Sequence, residues 1–310
     1  MTMRVVSPGA FTTIQDLGRP GWASSGVPPS GAMDQPALRA ANLLVGNAES
    51  TAALEITLNG PLIEFVDAAA VAVVGALFEV ELDGEPVFMN ETLPVQAGSV
   101  LRIGKARAGC RAYLAVRGGI DVPAVLGSRS TYAPGGIGGP RGRALQTHDF
   151  LRAGPAASHL AMRRIKPIVG SNPTEAVRAV PGPQENAFTA RALEKFWATE
   201  FRVSPRSDRA GMRLECEPLA HAGSADLDPE GVVTGAVQVP GDGLPIVLGP
   251  DGPATGGYVK IATVITADLP VIAQARPGDT LRFVPVDVER ARSAWRDRER
   301  ALFESIEELE

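Results

Sequence analysis

Thirty-four glycines and 26 prolines punctuate the 310 residues of this chain from end to end. Proline removes a backbone donor and fixes φ, and glycine opens left-handed turns, so a chain broken this often builds short elements joined by tight turns. The runs between the breaks are apolar or alternate with period two, as strands do. In the first half they are "LIEFV" (62–66), "VAVVG" (71–75), "LFEVEL" (77–82), "SVLRI" (99–103) and "CRAYLAV" (110–116). Asp83-Gly84 follows the third as a two-residue hairpin signal. In the second half "GAVQVP", "LPIVLG", "YVKIATVIT" and "DTLRFVPV" repeat the pattern. The expected class is mainly β with a few helices.

Three helices have start signals or a helical period. Asp34 caps the first, with Pro36 in its first turn, Ala37, Leu38, Ala41, Leu44 and Val45 on one face, and Gly46 ending it. Thr189 caps a second over 189–200. The charged tail 287–310 is the third, with Ala294, Trp295, Leu302 and Ile306 as its apolar stripe. "MRVVSPGAF" at the start echoes "VRAVPGPQENAF" from Val177, and "AGSVLRI" echoes "PGDTLRF". Two related β-domains, 1–160 and 161–286, followed by a helix over 287–310, account for the echo, with the junction within 153–173.

A net charge of −5 with 45% hydrophobic and 21% charged residues describes a soluble globular chain and gives no footing for nucleic-acid binding. "MTMRVVSPGAF" lacks the apolar core of a signal peptide, and the longest apolar run, 68–78, is too short to span a membrane. Cys110 and Cys216 form no disulfide framework. The expectation is a cytoplasmic protein with reduced thiols. His148, His159 and His221 have no metal-ligand spacing, so no metal is expected. "GSVLRIGKA" (98–106) fails as a phosphate loop, with Ala106 where Ser or Thr belongs. "PGGIGGPRGR" (134–143) fits no dinucleotide fingerprint and reads as a mobile loop, and no Met adjoins a Lys as in a biotinylated carrier.

Four stretches place polar side chains among glycines: 15–19 ("QDLGR"), 117–131 ("RGGIDVPAVLGSRST"), 207–214 ("SDRAGMRL") and 251–260 ("DGPATGGYVK"). Arg offers a planar fork and Gly lets backbone N–H groups approach, a composition suited to a carboxylate or phosphate. The candidate binding residues are Gln15, Arg19, Arg129, Ser130, Thr131, Arg209, Arg213 and Thr255. The candidate catalytic residues are Asp16, Asp208, Tyr258 and Lys260, the last being one of only four lysines. Each also has a purely structural reading. Asp16 with Arg19, and Asp208 with Arg209, sit at turn spacing, and Ser128, Ser130 and Thr131 can serve loop backbone.

Taken in order, "QDLGRPG…GVPPSGAMD", "AANLLVGN", "ALEITLNGPLIEF", "VRGGIDVPAVLGSRST", "SDRAGMRL" and the run from "GAVQVPGDG" to "DTLRF" resemble the KipA family. That family is also called the 5-oxoprolinase C subunit (PxpC), biotin-dependent carboxyltransferase-like, or allophanate hydrolase subunit 2. The resemblance implies two cyclophilin-like β-barrel domains and a KipI-like partner, the 5-oxoprolinase B subunit, sharing a site. With the 5-oxoprolinase A subunit as well, an ATP-dependent complex would open the lactam of 5-oxoproline to glutamate, with ATP bound in the complex on this chain or on a partner chain. The resemblance also implies two alternatives: a carboxyltransferase half-site using carboxybiotin, as in urea carboxylase, or a non-catalytic regulator binding a KipI-like kinase inhibitor. In the first reading Arg19, Arg129 and Arg209 or Arg213 hold a carboxylate or phosphoryl group. Tyr258 and Lys260 polarise the lactam oxygen, and Asp16 or Asp208 positions the donors. The chain departs from the family at "DGPATGGY", where Gly252, Pro253 and Ala254 replace Arg, Gln and Thr, and at Cys216, where Gly is usual.

Overall fold

The alternating runs all become strands, and in the first half they fuse into fewer and longer ones. The computed structural model describes residues 1–156, 160–166 and 176–309. His159, part of the 153–173 junction and the last residue of the tail lie outside the described residues. β1 (Thr2–Ser7), β2 (Phe11–Gln15), β3 (Ala53–Thr57), β4 (Leu62–Phe65), β5 (Ala69–Leu82), β6 (Glu85–Pro86), β7 (Leu93–Val95), β8 (Val100–Val116) and β9 (Phe150–Arg152) build one antiparallel sheet. Its order is β2-β3-β8-β4-β1-β9, with β5 pairing β6, β7 and β8. "VAVVG" and "LFEVEL" fuse into β5, and "SVLRI" and "CRAYLAV" into the 17-residue β8. Three register shifts along β5–β8, between Gly75 and Val80, bend the pair and curl the sheet.

Period-two alternation then separates two apolar faces. Ile56, Val73 and Leu114 belong to the concave core with Met3, Ile63 and Phe65. Their neighbours Ala72, Val74, Tyr113 and Ala115 face the other way and are covered by α1 (Gln35–Leu44) through Leu38, Ala41 and Leu44. Ala37 N–H donates to Asp34 Oδ1 at 3.1 Å, the expected cap. The α1 entrance is also tied to the sheet. Tyr113 O–H donates to Glu55 Oε2 at 2.7 Å and accepts from Asp34 N–H at 2.8 Å. Burial first, and the Glu55 charge second, push the Tyr113 phenol well above its ordinary pKa, so it remains a donor.

β10 (Arg163–Ile165) pairs with the last strand, β20 (Ile306–Glu308). The second half is a closed barrel in the order β11-β18-β15-β16-β13-β12-β19. Its strands are β11 (Val177–Pro181), β12 (Glu200–Val203), β13 (Gly211–Glu215), β15 (Ala236–Gln238), β16 (Ile246–Leu248), β18 (Lys260–Val264) and β19 (Thr280–Pro285). The parallel β11–β19 pair, Val177 opposite Phe283, closes it. A two-stranded ribbon, β14 (Asp226–Gly231) with β17 (Thr255–Tyr258), is separate from the barrel ladder. α2 (Ala190–Ala198), capped by Thr189, stacks Phe196 on Phe283 with ring centroids 5.0 Å apart. α3 (Leu269–Gln274), six residues after a 3-10 turn, is too short to show a helical period and was not expected. α4 (Val288–Glu304) ends before the tail does, and β20 completes the tail as a strand where helix was expected to 310.

The molecule is therefore mainly β, with one closed seven-stranded barrel and one sheet curled into a half-barrel. Two compact units comprise the described residues of 1–19, 30–168 and 301–310, and of 20–29 and 169–300. These interleave along the chain, unlike the contiguous divisions 1–160, 161–286 and 287–310. The glycine-rich segment 134–143 is packed in place, contrary to the mobile loop expected. Tyr132 and Ile137 exchange backbone hydrogen bonds, and Gly138, at φ +68°, lies so close to Ser130 that a Cβ would fall 2.0 Å from its carbonyl oxygen.

Candidate functional site

The sequence candidates gather in three places, one in the first unit and two in the second. In the first unit, β2 delivers Gln15 and the chain then turns through Asp16. Gly18 N–H and the Ser128 and Ser130 hydroxyls donate to Asp16 Oδ1 at 2.8, 2.6 and 2.5 Å, and Arg129 N–H donates to Oδ2 at 2.6 Å. Asp16 N–H in turn donates to Ser130 Oγ at 2.9 Å. Four donors on one buried carboxylate hold the 128–130 loop against the end of β2. Arg19, only 1% exposed, donates to the carbonyls of Ser130 and, at 3.4 Å, Val125. Gln15 Nε2 donates to Thr13 Oγ1 at 3.0 Å and the Thr131 carbonyl at 3.1 Å. Arg129 reaches outward instead, its Nε donating to the Val122 carbonyl at 2.8 Å and its Nη2 lying 3.5 Å from Asp121.

In the second unit, Asp208 closes a turn, accepting from the N–H groups of Ala210 and Gly211 at 2.9 and 3.0 Å. Beside it Arg209 forms a bidentate pair with Asp251, at 2.8 and 3.1 Å, with both side chains buried. That pair joins the start of β13 to the turn after β16 and occupies the Arg209 fork. Arg213 projects from β13 and is exposed.

The third place forms where the ribbon overlies the barrel wall. β18 begins at Lys260, whose side chain is 7% exposed. Its Nζ donates to Glu230 Oε1 of β14 and, at 3.5 Å, to the Tyr258 carbonyl. Gln184 Nε2 donates to the same Glu230 oxygen at 2.9 Å, while Lys260 N–H donates to Gln184 Oε1 at 3.1 Å. Lys260 holds the Glu230 carboxyl below its ordinary pKa, by hydrogen bond first and charge second. Gln238 lies directly opposite Lys260 in the β15–β18 ladder, so the two side chains share a face. Its amide nitrogen packs beneath the Gly256 Cα and has no hydrogen-bond partner among the described residues, although Gln238 is only 4% exposed. Thr255 and Tyr258, on β17, remain exposed.

Sequence reasoning missed Gln184, Glu230 and Gln238. Only Gln238 carried a signal: a lone amide inside the apolar strand "GAVQVP", outward by alternation yet buried. Glu230 and Gln184 reach Lys260 from 30 and 76 residues away, a proximity set by the ribbon and the β11 turn. The arrangement is an ammonium of low exposure and an amide donor on one carboxylate, with a second amide on the same face, which suits an anionic oxygen. The open groove of about 480 Å³ between α4 and the barrel, lined by Val180, Ile265, Thr266, Val288, Trp295 and Arg296 among others, contains none of the sequence candidates. Among the described residues no group of three or more His, Cys, Asp or Glu side chains is placed to hold a metal ion. Burial raises the Cys216 thiol above its ordinary pKa. No helix is long and apolar enough to cross a membrane among the described residues.

Known proteins resemble the chain over nearly its whole length. The C subunit of Escherichia coli 5-oxoprolinase is 40% identical over 98% of this chain and 97% of that protein. The Haemophilus influenzae protein of the same name is 38% identical over 93% and 92%. Urea amidolyase of Lachancea kluyveri is 37% identical over 98% of this chain, which spans only 18% of that longer protein. The crystal structure of Kluyveromyces lactis urea amidolyase superposes with a TM-score of 0.92 at 35% identity, covering 97% of this chain and 20% of the other. The family described as "Carboxyltransferase domain, subdomain A and B" matches residues 25–285. The chain belongs to this carboxyltransferase-domain family, and the matched residues run through both the curled sheet and the closed barrel.

Proposed function

We propose that the chain is the C subunit of an ATP-dependent 5-oxoprolinase, acting with a KipI-like B subunit and with the A subunit to open 5-oxoproline to glutamate. One observation carries the reading: the chain matches the E. coli C subunit across 97% of that protein, whereas it spans 18% of L. kluyveri urea amidolyase. ATP belongs to the complex, and the form of 98–106, a turn running into β8 without the strand-loop-helix of a phosphate loop, favours a partner chain as its holder.

Within this reading the expected roles are redistributed. The forks of Arg19 and Arg209 already serve Ser130, Val125 and Asp251. The substrate's anionic oxygen is assigned instead to Lys260, whose carboxylate partner Glu230 is exposed where Asp251 is buried, with Tyr258 beside it on the exposed ribbon to meet the lactam oxygen. Asp16 and Asp208 act as positioning residues for their loops. The test is reconstitution of the three subunits, following 5-oxoproline and ATP together. Loss of 5-oxoproline that requires ATP and falls at least tenfold in Lys260→Met supports the reading, and no ATP-dependent loss overturns it.

The family description and the urea amidolyase relatives favour a second reading, a carboxyltransferase half-site supplied with carboxybiotin by a separate carrier. Turnover that depends on a biotinylated carrier would select it. Tight binding to the KipI-like partner with no turnover in any mixture would instead select the regulator.

A further inference from the structure

Lys260 Nζ and Gln184 Nε2 converge on one carboxylate, which comes from the ribbon, and Gln238 lies on the Lys260 face. Glu230 sits on β14, at the end of a register irregularity that begins at Asp226, and is itself exposed. The β14–β17 ribbon is exposed along most of its length, and only Leu227 of its residues packs against the barrel core. A segment with so little apolar anchorage opens more easily than the barrel wall beneath it. With the ribbon in place Lys260 cannot be left alone, since a buried ammonium without a partner is costly. The exchange of one carboxylate for another keeps the pair intact. Gln238 supplies the second mark of a ligand: a fully buried amide N–H, on the Lys260 face, with nothing in the described chain to receive it.

We propose that the Lys260–Gln184–Gln238 cluster is a binding site for a small carboxylate, and that Glu230 fills it as a built-in stand-in until the ligand displaces it. The ligand's carboxylate takes the place of Glu230 on Lys260 and Gln184. Its second oxygen, or an adjacent carbonyl, accepts from Gln238. This rests on the proposed function only in naming 5-oxoproline as the probe of interest, and the cluster's preference for a carboxylate stands without it.

The chain has only four lysines, Lys105, Lys166, Lys195 and Lys260, so a full-length protein carrying isotope-labelled lysine shows four side-chain signals by NMR. Lys260→Arg identifies the one that matters. Titration with L-5-oxoproline and with acetate is expected to move the Lys260 signal, and 2-pyrrolidinone, a lactam without a carboxylate, is expected not to. Glu230→Gln keeps the shape but removes the competing charge, and is expected to shift both titration midpoints to about tenfold lower ligand. Gln238→Leu is expected to raise them while leaving the spectrum folded. Equal midpoints in the wild type and Glu230→Gln, or no movement of the Lys260 signal with either carboxylate, overturn the proposal. Reconstituted turnover without a Lys260 response sinks the proposal and leaves the 5-oxoprolinase reading. A Lys260 response to acetate without turnover does the reverse.

Discussion

At Asp16 charge gathers loop backbone and hydroxyls, at Arg209 it pairs with a buried carboxylate, and the two residues fail differently when altered. Asp16→Asn keeps one acceptor but replaces the carboxylate that gathers Gly18, Ser128, Arg129 and Ser130. Charge-assisted hydrogen bonds contribute about 1.5–3 kcal/mol each, and the amide retains part of the set, so a loss of about 2–3 kcal/mol is expected in urea unfolding. Arg209→Met strands the Asp251 charge, 6% exposed, and is expected to cost about 3–5 kcal/mol. The double variant Arg209→Met/Asp251→Leu is expected to recover most of that loss, because the desolvation of the charges is removed with the pair. A double variant as unstable as the single one would show that the pair does more than neutralise itself.

The elements show how local chemistry and long-range packing divide the work. The Asp83-Gly84 turn forms as its dipeptide predicts, with φ of +54° and +88° and Leu82 opposite Glu85. A Cβ at Gly84 meets nothing within 4 Å, so Gly84→Ala is expected to cost about 1–2 kcal/mol from the left-handed backbone alone. A thermal scan of that variant measures it, and no loss would mean the turn relaxes. The caps at Asp34 and Thr189 were readable for the same reason, since a cap is set within four residues. β5 and β8 were not readable as single strands, because their bulges are tolerated only while each strand has the other to pair with. β20 was hidden similarly: its strand conformation comes from pairing with β10, more than 140 residues earlier.

Across the whole molecule, acid stability should follow carboxylates whose partners are fixed by the fold. Asp149 is held below its ordinary pKa chiefly by the Arg143 guanidinium, at 2.7 Å, and is 17% exposed. A carboxyl with a depressed folded-state pKa contributes its full stability above its unfolded value, about 4, and loses it as the pH falls through the folded value. Urea unfolding between pH 7 and pH 3 should therefore show a shallower acid decline in Asp149→Asn than in the wild type. Arg143→Gln, which removes the main cause of the depressed pKa, should shallow the decline as well. Declines parallel to the wild type in both variants would rule out this pair as a source of acid sensitivity.

The strand-rich class, the hairpin, the two helix caps and the membership of the family were legible in the amino-acid order, because each rests on local periodicity, on turn chemistry within a few residues, or on motifs kept in order. That order also pointed to Gln15, Asp16, Arg19, Ser130 and Thr131, which the first unit does bring together. Tertiary structure alone decided what those residues do, burying the Arg19 and Arg209 forks against carbonyls and a carboxylate. It alone placed Glu230, Gln184 and Gln238 around Lys260. A side chain's chemical type is written in the sequence, but its partners depend on which strands lie side by side, and that is settled by closure of the barrel and the lie of the ribbon over its wall.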